Sequence, residues 1–248
     1  MSKNKIDNKK IYDDNWADWV DMKIYGPASR WLRGLIGEHL CLINTENISS
    51  VLDVGSGEGT ITYYIAKHFP EAEVTGIDFS QSGINCASEA YNLPNLDFIQ
   101  DEDSTHLKNK YDLVAAYEVL EHVEDWEGLL GRMADASNKY IMLSFPVGRM
   151  RSFEKIVGHL RNFKKGEVEN FLSGKGFRPV NIFYAGFPFY NPVYRELCNL
   201  TNSAGNSFTK GKYGWGQKIT ASVFYFLFRY CSTKYFLGNQ FCGLFERI

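Results

Sequence analysis

The run VLDVGSGEG at residues 51–59 constrains what this chain can fold into more than any other segment. Its first four residues predict a buried strand, and its glycines predict a tight turn, because glycine adopts backbone conformations closed to other residues. From Thr60 onward, apolar residues recur at helical spacing. A strand, a glycine turn and a helix N-terminus together predict a pocket for a nucleotide-containing ligand.

The spacing of the glycines indicates which kind of ligand. A dinucleotide fingerprint places its third glycine where this chain has Thr60, whereas the third glycine here is Gly59. Asp53 lies just before the first glycine, where a phosphate would be repelled. An NAD-type oxidoreductase is therefore disfavoured, and the pattern favours a cationic ligand such as S-adenosylmethionine, which carries an ammonium and a sulfonium.

Further apolar segments predict the rest of an α/β sheet. Strands are predicted at 73–78, 96–101, 111–117, 139–146 and 177–184, and a further candidate strand lies at 243–248. Asp78 follows the glycine turn by about twenty residues, the spacing at which a carboxylate binds ribose hydroxyls. These elements and the glycine turn predict a Rossmann-like α/β sheet.

The segments DVGSGEG, GIDFS, FIQDED and YDLVAAYEVLEHVED resemble the class I S-adenosylmethionine-dependent methyltransferases, in particular the branch that includes ubiquinone- and menaquinone-biosynthesis-type enzymes. The resemblance covers residues 47–184 and departs from the family at Gln100, where glycine is common. It implies a single Rossmann-like, doubly wound seven-stranded sheet, mostly parallel, with an antiparallel last strand at 243–248, N-terminal helices and a helical cap inserted between the last two strands. It also implies that the first motif surrounds the methionine moiety, that Asp78 contacts the ribose and Asp101 the adenine amino group, and that the backbone of Glu118 faces the cofactor. The implied cofactor-binding residues are Asp53, Gly55, Ser56, Gly57, Gly59, Asp78, Phe79, Asp101, Glu102 and Glu118.

Two histidines are the candidate catalytic bases. Methyl transfer to a hydroxyl needs a proton acceptor, and histidine titrates near neutral pH. His122 follows the fourth strand and His159 follows the fifth, so both are expected at the substrate side. His122 as a helix cap or a partner of the backbone is the alternative, and Glu121 is expected to be solvent-facing or structural. The candidate substrate-binding residues are Tyr25, Arg161, Tyr190 and Arg195.

Composition divides the chain into regions. We expect a flexible tail at 1–10, helices at 11–46 over the cofactor and substrate mouth, a core at 47–185 and 241–248, and an aromatic, basic cap at 186–240. Residues 1–147 hold 12 Lys/Arg and 24 Asp/Glu, whereas residues 148–248 hold 15 and 5. The basic second part indicates an anionic substrate or an anionic membrane surface, with a merely solvated face as the alternative.

Compartment and partners follow from composition as well. The five scattered cysteines form no C-x-x-C pair, which predicts a reducing, cytoplasmic location and no metal site. The net charge of −2 gives no reason to expect nucleic-acid binding. The apolar segment 219–228 is too short to cross a bilayer. The predicted helix at 217–231 is therefore buried, forms a homodimer contact, or rests peripherally on a membrane.

The expected function is S-adenosylmethionine-dependent methyl transfer, most simply O-methylation, to a small or amphipathic acceptor that is anionic or lipid-like. N- or C-methylation stays open. The alternative from another class is a catalytically inactive regulatory partner that binds the cofactor.

Overall fold

A seven-stranded mixed sheet with strand order β3-β2-β1-β4-β5-β7-β6 forms the centre of the protein. The computed structural model describes residues 20–200 and 211–248. All neighbouring strands from β3 to β5 pair in parallel, and β7 alone runs against its two neighbours, β5 and β6. The strands are β1 (Ser50–Val54), β2 (Glu73–Asp78), β3 (Leu96–Gln100), β4 (Tyr111–Tyr117), β5 (Ser137–Pro146), β6 (Phe177–Ala185) and β7 (Gln240–Arg247).

Helices cover both faces of this sheet, which confirms the doubly wound architecture. They are α1 (Val20–Tyr25), α2 (Pro27–Leu40), α3 (Thr60–His68), α4 (Gln81–Ala90), α5 (Trp126–Ala136), α6 (Ser152–Ile156), α7 (Glu167–Gly174), α8 (Arg195–Leu200) and α9 (Trp215–Tyr230). Short 3₁₀ turns lie at Thr45–Asn47, Thr105–Lys108 and Leu120–His122.

Side chains that alternate along the central strands fill two separate cores. Val51 of β1 packs with the layer of α2 and α3, whereas its neighbour Leu52 packs with the layer of α5 and α7. Both side chains are fully buried. The near-continuous apolar composition of β1 follows, since a parallel strand covered on both faces has no polar side.

Local signals set several helix starts. Pro27 occupies the first turn of α2, where its missing N–H costs nothing. The Ser80 side chain accepts a hydrogen bond from Gly83 N at the start of α4, and Asp125 accepts one from Gly128 N at the start of α5. β7 begins three residues earlier than predicted, at Gln240, because the strand pairs along β5 and β6 at once.

The connection between β6 and β7 is the long insertion that the sequence predicts. It contains an irregular helical segment, Phe189–Tyr194, followed by α8 and α9. The expected tail at 1–10, the first part of the N-terminal helices and residues 201–210 of the expected cap lie outside the described residues. Within residues 20–200 and 211–248, every helix is too short or too polar to span a lipid bilayer.

The insertion is held to the N-terminal helices by aromatic packing. The Trp31 ring of α2 lies 4.7 Å from the ring of Tyr190 and 5.7 Å from that of Phe228 of α9. All three side chains belong to the core beneath α2 and α3. The insertion is therefore part of the main body of the protein.

Candidate active site

The glycine turn connects β1 to α3 at the carboxyl edge of the sheet. Gly55, Gly57 and Gly59 all have positive φ, at 74°, 55° and 81°. A Cβ atom on Gly55 would lie 2.4 Å from Val119 Cγ2. Gly55 N and Ser56 N both donate to the carbonyl of Ile77, at 2.8 and 2.9 Å, which joins the turn to β2. Only glycine allows this tight turn beside the fourth strand.

Asp78 at the end of β2 fixes the position of the turn. Its Oδ2 accepts a hydrogen bond from Gly57 N and its Oδ1 one from Ser80 N, both at 2.8 Å. The carboxylate thus lies between the glycine turn and the start of α4. This is the position from which the resemblance implies a contact with ribose.

Asp53 is buried beneath the turn and has an unusual protonation equilibrium. Thr62 Oγ1 donates to its Oδ2 at 2.7 Å, while its buried Oδ1 has no hydrogen-bond partner. Burial raises the pKa of Asp53 to about 7, and the nearby negative charge of Asp78 adds to this effect. A cationic ligand beside this carboxyl would favour its ionised form.

Asp101, which follows β3, accepts hydrogen bonds from the start of the 3₁₀ turn at Thr105–Lys108. Its Oδ1 accepts from the backbone and hydroxyl of Thr105, and its Oδ2 accepts from the backbone and ring Nδ1 of His106. Burial on its own would raise the pKa of Asp101, but these four bonds outweigh it and hold the pKa at about 2. All four acceptor positions of this carboxylate are thus used within the chain, and its neighbour Glu102 also lines the cavity.

Glu118 takes an uncommon backbone conformation immediately after β4. Its φ is 56°, and its N–H donates to the carbonyl of Ser144 on β5 at 2.9 Å. Its carboxylate accepts hydrogen bonds from Ser144 Oγ and Gln240 Nε2, both at 2.8 Å. Burial raises the pKa of Glu118, and the Arg195 guanidinium opposes this shift. Strain of this kind in a residue other than glycine is typical of functional sites.

Two histidines from separate connections pack together in the wall of the cavity at the carboxyl edge of the sheet. The rings of His122 and His159 pack edge to face with their centroids 4.6 Å apart. A hydrogen bond of 2.8 Å from Leu160 N to the carbonyl of Glu121 brings the two connections together. Burial lowers the pKa of His122 to about 4 and that of His159 to about 3, the second with a contribution from His122. Both imidazoles are therefore neutral at pH 7.

Glu121 lies behind the histidine pair and is fully buried, so the expectation of a solvent-facing side chain is wrong. Neither of its carboxylate oxygens has a hydrogen-bond partner, and burial raises its pKa well above the usual range. Donor atoms of Glu121, His122 and His159 lie within 4.8 Å of one another. In the part of the chain that the structure describes, these side chains have the donor chemistry and spacing to hold a metal ion, although the sequence predicted no metal site.

A cavity of about 750 Å³ connects these groups. It is lined by every implied cofactor-binding residue except Gly59, and by both candidate catalytic histidines. The N-terminal helices close its other side with Met22, Lys23, Ser29, Leu32 and Arg33. The expectation that helices at 11–46 cover the mouth pointed to this part of the chain.

The candidate substrate-binding residues do not line this cavity. Tyr25 packs beneath Lys218, whose Nζ lies 4.2 Å from its ring centroid, and Arg161 donates to the carbonyl of Glu124 at 2.9 Å. Tyr190 is packed among the aromatic rings between α2 and α9, and its hydroxyl donates to Gln240 at 3.3 Å. The cavity lining includes none of the described insertion residues, 186–200 and 211–239. This segment instead packs against α2 in the core beneath α2 and α3.

Arg195 lies in a buried network of charges. Its guanidinium pairs with Glu154, and both side chains are almost fully buried. Arg151 extends the network by donating to Glu196 at 2.8 Å and to Asn191 at 2.6 Å. Burial, together with the neighbouring charge of Arg151, lowers the pKa of Arg195 to about 9. Arg195 thus connects the insertion to the segment after β5, and it does not line the cavity.

Comparisons with known proteins agree with this geometry. Residues 52–138 match the family model described as a methyltransferase domain. The chain is 25% identical over 115 residues to a malonyl-[acyl-carrier protein] O-methyltransferase of Acetivibrio thermocellus, covering 46% of this chain and 41% of that protein. It is 32% identical over 90 residues to an (S)-coclaurine N-methyltransferase of Thalictrum flavum subsp. glaucum, covering 35% and 25%. The matches therefore span less than half of these relatives.

A solved structure extends the likeness to the whole fold. The magnesium protoporphyrin IX methyltransferase of Synechocystis PCC 6803 with bound S-adenosylmethionine superposes with a TM-score of 0.59 at 15% identity, over 100% of both chains. The sheet order and the glycine turn define a Rossmann-like protein for a nucleotide-containing cofactor. The match at residues 52–138 and the shared fold support the resemblance to the class I S-adenosylmethionine-dependent methyltransferases, with S-adenosylmethionine as the cofactor.

The residues present fit that cofactor. The turn is free of side chains at Gly55 and Gly57, the Asp78 carboxylate lies beside the turn, and Asp53, whose buried Oδ1 has no hydrogen-bond partner, lines the same cavity. The cavity has room for a nucleoside and a small acceptor together.

Proposed function

We propose that this protein transfers the methyl group of S-adenosylmethionine to an oxygen nucleophile of a small or amphipathic acceptor. One observation carries the proposal: a single cavity joins the glycine turn and its carboxylates to a pair of neutral imidazoles. The first half is the chemistry of a cationic nucleoside site, and the second half is the chemistry of a proton acceptor.

The proposed cofactor contacts follow the order of the strands. Asp78 binds the ribose hydroxyls, and Asp53 lies beneath the cationic methionine part. Phe79 and Glu102 border the adenine, while Asp101 positions the turn at 101–106 through its four hydrogen bonds. Lys23 and Arg33 from the N-terminal helices stand at the opposite wall, where they suit a carboxylate of the cofactor or the acceptor.

The cofactor supplies an activated methyl group, and the protein's own task is to hold the nucleophile in line and keep water out. His122 accepts the proton of the acceptor hydroxyl, because its ring lines the cavity. Burial lowers its pKa to about 4, so the ring is neutral at pH 7 but less basic than a free imidazole. His159 packs against His122 and holds the ring in place.

Three observations support the proposed class of acceptor. The relatives include an O-methyltransferase and an N-methyltransferase by name, so both kinds of nucleophile occur among similar proteins. Neutral imidazoles beside the cavity favour oxygen, and the basic residues at its wall favour an anionic end on a small or lipid-like acceptor. We place the activity in the cytoplasm, since all five cysteines are free thiols.

Calorimetry with S-adenosylhomocysteine tests the cofactor site. We expect Asp78→Ala to weaken binding by about 1–3 kcal/mol through loss of charge-assisted hydrogen bonds. Asp97→Ala, an equivalent change at an exposed position on β3, should leave binding unchanged. Equal affinities for the Asp78 and Asp97 variants would contradict the proposed ribose contact.

Turnover assays test the chemistry. The protein is incubated with S-adenosylmethionine and phenol, carboxylic acid or amine acceptors, and S-adenosylhomocysteine release is followed. We expect His122→Asn to lower kcat with a hydroxyl acceptor about 10²-fold, the usual contribution of a general base. His68→Asn, far from the cavity, is the control. Cofactor binding without turnover of any acceptor would favour the inactive regulatory alternative.

A further inference from the structure

Helix α9 exposes a continuous apolar stripe to solvent. Trp215, Ile219, Val223, Phe226 and Tyr230 are 86%, 63%, 54%, 55% and 68% exposed. At 100° per residue these five side chains fall within an arc of about 80°. The opposite side of the helix carries Ala221 and Phe228, which are buried against the core. The helix is thus anchored by one face and presents a second apolar face outward.

A second exposed apolar segment follows the helix directly. Tyr235, Phe236 and Leu237 are 60%, 68% and 51% exposed. Backbone hydrogen bonds between Thr233 and Phe187, and between Gly186 and Thr233, hold this segment on the protein, and Lys165 Nζ donates to the Phe236 carbonyl at 2.7 Å. Exposed apolar patches of this extent mark interaction surfaces.

The charges around the stripe have one sign. α9 contains Lys218 and Arg229 and no acidic residue. On the helical wheel, both basic residues lie on the same flank of the stripe, about 40° to 60° from its edge. Lys234 follows the helix and, like Arg229, binds Glu38 of α2, so that this carboxylate is compensated by two cations.

This basic flank borders a groove. A surface cavity of about 560 Å³ lies between α2, α3 and α9, and is lined by Arg30, Arg33, His68 and Arg229, with Glu38 as its carboxylate. The Arg30 guanidinium stacks on the Tyr225 ring at 4.1 Å from the centroid. The groove therefore offers guanidinium groups immediately beside the apolar stripe.

We propose that α9 docks the protein onto a membrane surface that contains anionic lipids, with its stripe among the acyl chains and phosphate headgroups at the basic groove. Aromatic and aliphatic side chains beside basic residues are the composition of interfacial helices. The helix has 16 residues and is about 24 Å long, too short to span a hydrocarbon core of about 30 Å. A second copy of the chain fits less well, because a two-fold contact through α9 brings like charges together without any acid on the helix.

Sedimentation with lipid vesicles tests this surface independently of methyl transfer. The full chain is mixed with vesicles of pure phosphatidylcholine and with vesicles of equimolar phosphatidylcholine and phosphatidylglycerol. We expect binding to the anionic vesicles that weakens with salt, and an affinity about 10-fold lower for Ile219→Ser/Phe226→Ser. Ile248→Ser removes an apolar side chain outside α9 that is more exposed, at 84%, and this variant should bind as the unmodified protein does.

The charge component has its own pair of variants. Arg30→Gln should weaken binding to anionic vesicles only, whereas Arg178→Gln, on β6, should not. Binding of S-adenosylhomocysteine, measured in parallel, shows that each variant is folded. Failure of the full chain to bind anionic vesicles overturns the proposal. So does a dimer in solution that becomes a monomer in Ile219→Ser/Phe226→Ser, since that result assigns the stripe to a second copy.

Discussion

Two buried aspartates near the glycine turn show how hydrogen bonds decide protonation at the scale of a residue. Asp101 accepts four bonds and has a pKa of about 2, whereas Asp53 accepts one from Thr62 and has a pKa of about 7. Desolvation penalises the charge in both cases, and only Asp101 has enough donors to offset it. The same residue type therefore serves as a fixed anion in one place and as a titrating group in the other.

The raised pKa of Asp53 makes folding stability depend on pH. The folded state retains the Asp53 proton up to about pH 7, whereas the unfolded chain releases it near 3.8. The stabilising contribution is full below the lower value and is lost as the pH rises through about 7. Between pH 6 and pH 8, the unmodified protein should lose about 1.4 kcal/mol of unfolding free energy that Asp53→Asn does not lose. Urea unfolding at both pH values measures this, and parallel curves for the two proteins would refute it.

His159 should have the opposite pH dependence. Its folded pKa of about 3 is lowered from 6.5, chiefly by burial, so the unfolded chain binds a proton that the folded protein does not. Stability should therefore fall as the pH drops below about 6.5, by about 2 kcal/mol between pH 7 and pH 5. In acid unfolding experiments, His159→Asn should not show this loss of stability. His122→Asn should also lose less stability in acid than the unmodified protein, because the pKa of His122 is lowered too. The prediction fails if acid sensitivity is the same in all three proteins.

At the scale of an element, the turn between β1 and α3 depends on contacts with other strands. Gly55 faces Val119 after β4, and Gly59 faces Phe98 of β3, where a Cβ atom would lie 2.5 Å from the ring. The turn is thus compressed between its neighbours and has no room for side chains. The close approach of Val119 and Phe98 to the glycines holds the turn beside Asp53 and Asp78.

Gly55→Ala tests this compression. The new methyl group would meet Val119 in a backbone conformation that disfavours side chains. We expect a loss of about 1–3 kcal/mol of unfolding free energy and a marked loss of S-adenosylhomocysteine affinity. Gly174→Ala is the matched control, because no atom lies within 4 Å of the position that its methyl group would take and its φ is ordinary. Thermal unfolding and calorimetry compare the two, and indistinguishable behaviour would count against a compressed turn.

At the scale of the whole molecule, the insertion between β6 and β7 supports the site without lining the cavity. A chain of side chains runs from the aromatic packing at Tyr190 through Gln240 to Glu118, the strained residue at the cavity wall. Arg195 and Glu154 fasten the same insertion to the segment that carries His159. The insertion therefore helps to position Glu118 and the segment of His159 although it does not line the cavity.

Loss of the Arg195–Glu154 pair should show this coupling. Arg195→Met leaves the buried Glu154 carboxylate without its cation, which typically costs about 3–5 kcal/mol. Arg195→Met/Glu154→Gln removes both charges and should recover much of that stability in a thermal unfolding comparison. Additive effects of the two single changes would show that the pair is not coupled.

Much of this molecule is encoded locally. The strand, glycine turn and helix at residues 51–68 could be recognised because hydrophobic periodicity and glycine placement act over a few residues. Six strands were predicted on the same basis, whereas the antiparallel last strand was implied by the family resemblance. The structure confirms the doubly wound seven-stranded sheet. The acids at the strand ends follow as well, since carboxyl ends of parallel strands share one edge of a sheet.

Other features depend on contacts between distant segments. His122 and His159 meet through a hydrogen bond from Leu160 to Glu121, Arg33 reaches the cavity because α2 crosses its mouth, and Arg195 is buried by its pairing with Glu154. The sequence by itself determined which residue types stand at each strand end, because that information is local. Only the tertiary structure decided which of the remaining polar side chains face the cavity and which are buried behind it, because packing and desolvation act between segments that are far apart in the chain.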